Sequence, residues 1–90
     1  MEFRVQIEGV IFTATCEQGR FARGRVVCPN CGTELEQLAP LSGSAYLICP
    51  CLNRGCVKPT KSFGTERDML EWVCQAWGLV ERECKKVSAP

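Results

Sequence analysis

Cysteine is the residue whose spacing could carry chemistry in this chain. Cys28 and Cys31 stand in the run CPNCG (28–32), and Cys51 and Cys56 bracket the run CLNRGC (51–56). Two residues between a cysteine pair let both thiolates face one tetrahedral ion while backbone N–H groups turn toward the sulfurs. Gly32, directly after the first pair, permits the positive φ that such a hook needs. Soft sulfur donors in a tetrahedral set favour zinc over magnesium or calcium. An iron–sulfur cluster fits less well, because no other cluster spacing accompanies the hooks. The reading is therefore one structural Zn2+ held by Cys28, Cys31, Cys51 and Cys56. The second hook leaves an alternative open. Cys49, Cys51 and Cys56 offer three sulfurs for two places, and Cys49 could stand in for Cys51 if the strand before it continues through Pro50. Asn53 and Gly55 suit the turn that the longer Cys51–Cys56 hook requires. The competing framework is a set of disulfides, since the eight cysteines are even in number.

Catalysis has little to build on. The chain has no histidine, so the commonest general base is missing. A catalytic zinc keeps one position open for water, whereas four cysteines close the site. A CxxC oxidoreductase needs a helix N-terminus beneath its first cysteine, and CPNCG sits between strand-like segments instead. The acidic residues fall singly. The chain reads as a protein that is not an enzyme.

Outside the hooks, Cys16, Cys49, Cys74 and Cys84 are left over and read as core or surface thiols, Cys74 on the helix as a small buried hydrophobe. A second metal site built from these four is the sharper alternative, although no two of them stand at hook spacing. Trp72 lies beside an apolar helical stripe, either as a core edge or as an anchor for a partner, since tryptophan is enriched at interface hot spots. Trp77 reads as core, packed against the ribbon. The stretch RFARGR (20–25) carries Arg20, Arg23 and Arg25 around Phe21. Arginines that hold phosphate and a ring that stacks on a base would make it a nucleic-acid contact; an ordinary solvated loop is the plain alternative.

The elements that must position these residues follow from periodicity. Phe3, Val5 and Ile7 alternate with Arg4, Gln6 and Glu8, a half-buried strand. Glu8-Gly9 offers a turn and VIFTATC (10–16) a second, β-branched strand. EQGRFARG (17–24) reads as a loop, RVV (25–27) as a short strand feeding the first hook, TELEQLA (33–39) as a weak strand, PLSGS (40–44) as a turn and AYLI (45–48) as the strand returning to the second hook. Hook, strand, turn, strand, hook is the order of a zinc ribbon. After KPTKSFG (58–64), Thr65 suits a helix N-cap, with Glu66 and Asp68 in the first turn. Met69, Leu70, Val73, Ala76, Trp77 and Val80 then recur at helical spacing. Gly78 would end or loosen the helix, and the charged tail would fray. The expected fold is α+β over a single domain, 1–90. A β-hairpin (1–24) precedes a small zinc-ribbon sheet (25–64), a C-terminal helix (65–80) and a tail (81–90).

VVCPNCGTEL, then AYLICPCLNRGCVKPTKSFGT, then a helix carrying AW, resembles the Lar family of restriction alleviation proteins, small phage and prophage zinc ribbons. Cys28, Pro29, Cys31 and Gly32 match the first hook of that pattern. Cys51, Asn53 and Cys56 match the longer variant of the second, and Pro59, Thr65, Ala76 and Trp77 follow in order. The likeness spans residues 25–78. Gly78 stands where the family has asparagine, the helix before Trp77 is about a turn longer, Cys49 is extra, and the first 24 residues have no counterpart. The resemblance implies a phage-type counter-defence protein, active in restriction alleviation or in an anti-CRISPR-like role, that binds a host restriction or other defence protein through a structural-zinc scaffold.

Composition bounds these readings. At 90 residues a hydrophobic core alone gives marginal stability, so a metal staple is useful. A formal net charge of +1 gives no global field for a polyanion, so nucleic-acid binding would need a local patch. The N-terminus alternates rather than presenting a basic head and an apolar run, and no stretch is long and apolar enough to cross a bilayer. A cytoplasmic protein without membrane contact is the expectation, in the host bacterium if phage-encoded. The tryptophans and an exposed hairpin edge would allow a homodimer. Binding a defence protein ranks first, a nucleic-acid-binding ribbon second, and a purely structural or metal-buffering module third.

Overall fold

The computed structural model describes residues 1–41, 43–52 and 54–87; Ser42, Asn53 and the tail residues 88–90 lie outside them. The chain opens with β1 (Glu2–Ile7), β2 (Val10–Glu17) and β3 (Arg20–Val27), an antiparallel meander in sequence order. Two tight turns make it. Glu8-Gly9 has φ of 47° and 83°, and Gln18-Gly19 has 53° and 77°, the left-handed pair that a two-residue turn matching the strand twist requires. Position ten onward alternates as expected: Val10, Phe12, Ala14 and Cys16 are all buried, and the residues between them are half-buried.

The expected hairpin is thus corrected to a three-stranded sheet, because residues 20–24 are strand rather than loop. The polar composition hid this, since the arginines are simply the solvent face of β3. A bulge hid it further. Thr15 pairs with Arg23 and Cys16 with Phe21, so Ala22 is the extra residue and the period of two breaks there. Gly24 is not a turn glycine either. It lies opposite Ala14, and a Cβ on it would meet the Trp77 ring at 2.8 Å and the Thr13 carbonyl oxygen at 2.4 Å. The helix needs that bare backbone in order to approach.

The second sheet is β4 (Glu36–Leu38), β5 (Ala45–Ile48) and β6 (Lys61–Phe63), antiparallel in the order β4-β5-β6. The weak strand expected over 33–39 contracts to β4, preceded by a single bridge between Val27 and Glu34. β6 is new. Its three residues carry one apolar side chain, too short for any periodicity to show, and its pairing with β5 is what makes it a strand.

α1 (Glu66–Val87) begins as expected: the Asp68 N–H donates to Thr65 Oγ1 at 3.1 Å, satisfying a free donor of the first turn. It does not stop at residue 80. Met69, Ala76, Val80 and Cys84 are each at most 2% exposed, so the stripe runs one turn beyond the last residue that looks apolar. Lys85 and Lys86 then sit in the last turn, where positive charge complements the helix dipole. Gly78 lies inside the helix with open space around it. Leu70 falls off the stripe and is half exposed.

Aromatic packing joins the layers. Trp77 meets Phe12 edge-on at 5.0 Å between ring centroids and Phe21 at 5.3 Å. It therefore packs on the meander and not, as expected, on the ribbon. Trp72 sits between Phe12 at 5.8 Å and Phe63 at 5.6 Å, one ring from each sheet. Its indole N–H donates to the Glu8 carboxylate, which lies 3.7 Å from Lys61 Nζ, and that ammonium stands 5.0 Å over the indole. One core of buried side chains runs through both sheets and the helix. The fold is α+β: two small antiparallel sheets and a C-terminal helix, with a cysteine cluster consistent with a zinc ribbon. Among the described residues, no helix is long and apolar enough to cross a membrane.

Candidate metal centre

The first hook hangs from the end of β3. Val27 is the last strand residue, and the Cys28 N–H then donates to the Thr33 carbonyl at 2.8 Å, while the Gly32 N–H donates to the Cys28 carbonyl at 2.9 Å. Gly32 has φ of 76°, the conformation its place after Cys31 calls for. The Leu35 N–H donates to the Val26 carbonyl at 2.8 Å, returning the chain alongside the strand it left. The second group hangs from the end of β5. Cys49 follows Ile48 directly, and the Thr60 N–H donates to the Leu47 carbonyl at 2.9 Å, so the loop carrying Cys51 and Cys56 is tied back to the strand. The Lys58 ammonium caps the Cys51 carbonyl, and the Asn30 side-chain amide donates to Cys56 Sγ at 3.3 Å, joining the two hooks.

These ties bring sulfur together. The Sγ atoms of Cys28, Cys31, Cys49 and Cys56 all lie within 4.8 Å of one another; Cys28 and Cys56 are 3.8 Å apart, Cys31 and Cys49 3.4 Å. A tetrahedral ion with bonds of about 2.3 Å to sulfur spaces its ligands about 3.8 Å apart. The group therefore fits a metal ion in both donor type and spacing, and its sulfurs stand too far apart for disulfides. Cys51 is also there. Its Sγ is 3.2 Å from Cys49, 3.3 Å from Cys56 and 3.6 Å from Cys31. Cys28, Cys31 and Cys56 are common to both ligand sets that the sequence offers, and the two candidates for the remaining place stand side by side. The Cys-Pro-Cys run (49–51) was the signal for this five-sulfur cluster, and spacing alone reads it as a choice of one.

Local surroundings set the thiols apart. The Thr33 hydroxyl, 3.1 Å from Cys31 Sγ, and then the Thr33 backbone hold the Cys31 pKa down to about 6. Cys49 is 1% exposed, and burial pushes its thiol far up. At Cys56 the Asn30 amide pulls downward, but the Cys51 thiol and burial together outweigh it and leave the pKa at about 11. An exposed thiolate thus stands beside buried thiols that keep their protons until a cation takes their place.

The leftover cysteines depart from expectation. Cys16 and Cys84 are bonded to one another, with Cα atoms 5.7 Å apart, where free thiols were the reading. Cys74, expected as a small buried hydrophobe, is exposed. Cys49 belongs to the hook cluster, so the four do not form a second metal site.

Arg20, Arg23 and Arg25 are exposed on β3, whereas Phe21 is half-buried under Trp77. Strand register sets two rows across the face opposite the helix: Glu2, Thr15 and Arg23 in one, Arg4, Thr13 and Arg25 in the next. A shallow depression of about 380 Å³ lies along them. Trp72, the other candidate contact, is half-buried and held as described above. No protein-family model, no curated protein and no solved structure matches the chain.

Proposed function

We propose that the cluster holds one structural zinc ion, and that the chain is a non-enzymatic binding module whose meander, beside the zinc ribbon, carries a recognition face. Sulfur donors in a tetrahedral spacing support zinc over harder cations. The observation that carries the binding reading is the outer face of the meander. There Arg4 on β1 and Arg23 and Arg25 on β3, with Arg20 near the turn, stand on the two outer strands of the sheet, opposed by Glu2 and Glu17 alone among the strand carboxylates of that face. Arginine on a rigid strand is well suited to carboxylate-rich partners, so an acidic protein surface fits it. With the Lar resemblance, the partner is a host restriction or other defence protein in the bacterial cytoplasm. The test is co-purification from host lysate with the zinc-loaded protein, with and without nuclease. A defence-system subunit retained after nuclease treatment, and lost from the Arg23→Glu, Arg25→Glu double variant, supports the reading. Retention by that variant contradicts this face as the contact.

The same arginines favour a second reading, nucleic-acid binding. Phe21 is packed on Trp77 and cannot stack on a base, which leaves phosphate contacts that position without reading sequence. Affinity for duplex DNA that falls steeply with salt would select this reading over the first.

A further inference from the structure

The cluster has one sulfur more than a tetrahedral ion can use. Cys51 Sγ stands 3.2, 3.3 and 3.6 Å from the sulfurs of Cys49, Cys56 and Cys31. Those separations are as short as the ones within the four-cysteine set itself, where Cys31 and Cys49 are 3.4 Å apart and Cys28 and Cys56 3.8 Å. A surplus thiol beside a purely structural ion has no structural task. Cys49 and Cys51 also differ in access. Cys49 is buried, at 1% exposure, within the core that includes Leu47, while Cys51 is half-buried at the surface next to the exposed Cys31. Cys28 and Cys56 are buried.

We propose that Cys49 and Cys51 are interchangeable ligands, and that this exchange lets the centre pass its ion to a thiol-bearing acceptor instead of holding it permanently. The inference rests on the zinc-ribbon reading above and gives that site a second task. In the inner arrangement Cys28, Cys31, Cys49 and Cys56 bind. In the outer one Cys51 loses its proton and forms a bond to the ion, the bond from Cys49 breaks, and the Cys49 sulfur takes up a proton; no electron is transferred and the charge of the set is unchanged. Two of the four ligands, Cys31 and Cys51, then lie at the surface, where an incoming thiolate can displace them one at a time. Release from four fixed thiolates must break a bond before another forms. A neighbour already at ligand distance lets the two events overlap, the rate advantage of a reactant held in place.

The test uses the zinc-loaded full-length protein and its Cys49→Ser and Cys51→Ser variants, with reduced glutathione as the incoming thiol and pyridylazoresorcinol as the dye that reports the zinc released. Each single variant is expected to bind one zinc per chain and to give a four-thiolate visible spectrum when loaded with cobalt(II), and Cys51→Ser, held in the inner arrangement, to surrender zinc at least about tenfold more slowly than the natural sequence. Loaded with cadmium-113, the natural sequence is expected to show two resonances or one exchange-broadened signal, and Cys51→Ser a single sharp one. Equal release rates overturn the proposal. So does a three-thiolate cobalt spectrum in either variant, since that cysteine would then be a fixed ligand. Cys51 is at the surface, so Cys51→Ser and the cadmium spectrum of the natural sequence decide the matter even if Cys49→Ser fails to fold. Failure of the natural sequence to bind zinc at all would sink the metal reading itself, a separate result from equal rates.

Discussion

Thr33 and the core pull two neighbouring thiols in opposite directions. Cys31 has its pKa drawn down to about 6 by the Thr33 hydroxyl and backbone, while burial keeps Cys49 protonated and Cys56 stands at about 11. In the metal-free chain at neutral pH, Cys31 is therefore already a thiolate, and Cys49 and Cys56 still carry protons. Binding at those two positions expels protons, so zinc affinity must rise with pH. Each proton released contributes about tenfold per pH unit, so these two alone give at least about a hundredfold per pH unit between pH 7 and 9. Competition against a chelator at several pH values measures this slope, and a flat profile would contradict the assignment of buried, protonated ligands. Two glycines give a second residue-scale test. Gly24→Ala puts a methyl group 2.8 Å from Trp77 and 2.4 Å from the Thr13 carbonyl, and should destabilise by about 1–3 kcal/mol. Gly78→Ala adds its methyl in open space inside a helix, and should stabilise by about 0.5–1 kcal/mol. Urea denaturation midpoints moving in opposite directions are the expected outcome. The hooks were legible at this scale because a CxxC-Gly run specifies its own local geometry. The relation of Cys49 to Cys51 was not, since it depends on how the Cys51–Cys56 loop is tied back to β5 through Thr60.

Among the elements, β1, β2, β5 and the start of α1 could be read from alternation, turn residues and the Thr65 cap, all local signals. β3 and β6 could not. The solvent face of β3 is arginine-rich and its bulge breaks the period, and β6 exists only because β5 offers it a partner. The end of α1 failed for a related reason: Cys84 counts as a thiol in a sequence but serves as the last buried residue of the stripe. Its bond to Cys16 ties the helix end to the far end of β2 across 68 residues of chain. Replacing Cys84 with alanine should therefore lower stability by about 2–4 kcal/mol, mainly by freeing the unfolded chain. It should also loosen the final turns of α1 first, seen as faster amide exchange from residue 81 onward than at Met69 to Ala76. Uniform exchange along the helix would show that packing, and not this link, holds its end.

At the scale of the whole molecule, one helix serves two sheets that need different things. The meander has long strands, two well-formed turns and the Cys16–Cys84 link, with Trp77 packed against it. The β4-β5-β6 sheet has strands of three, four and three residues, short of what a sheet needs to stand by itself. It borrows Trp72 from the helix, packed on Phe63, and its remaining order is left to the cysteine cluster at its end. On the function proposed above, the ion is accordingly a folding requirement for the half of the molecule that carries the cysteine cluster, a division that becomes visible only with the two sheets in hand. The most direct test is native mass spectrometry joined to hydrogen exchange, before and after a strong chelator. We expect one zinc per chain, and on its removal a loss of amide protection in residues 28–63 that spares β1 and β2. A chain that carries no ion, or a ribbon as well protected without it as with it, would contradict the account.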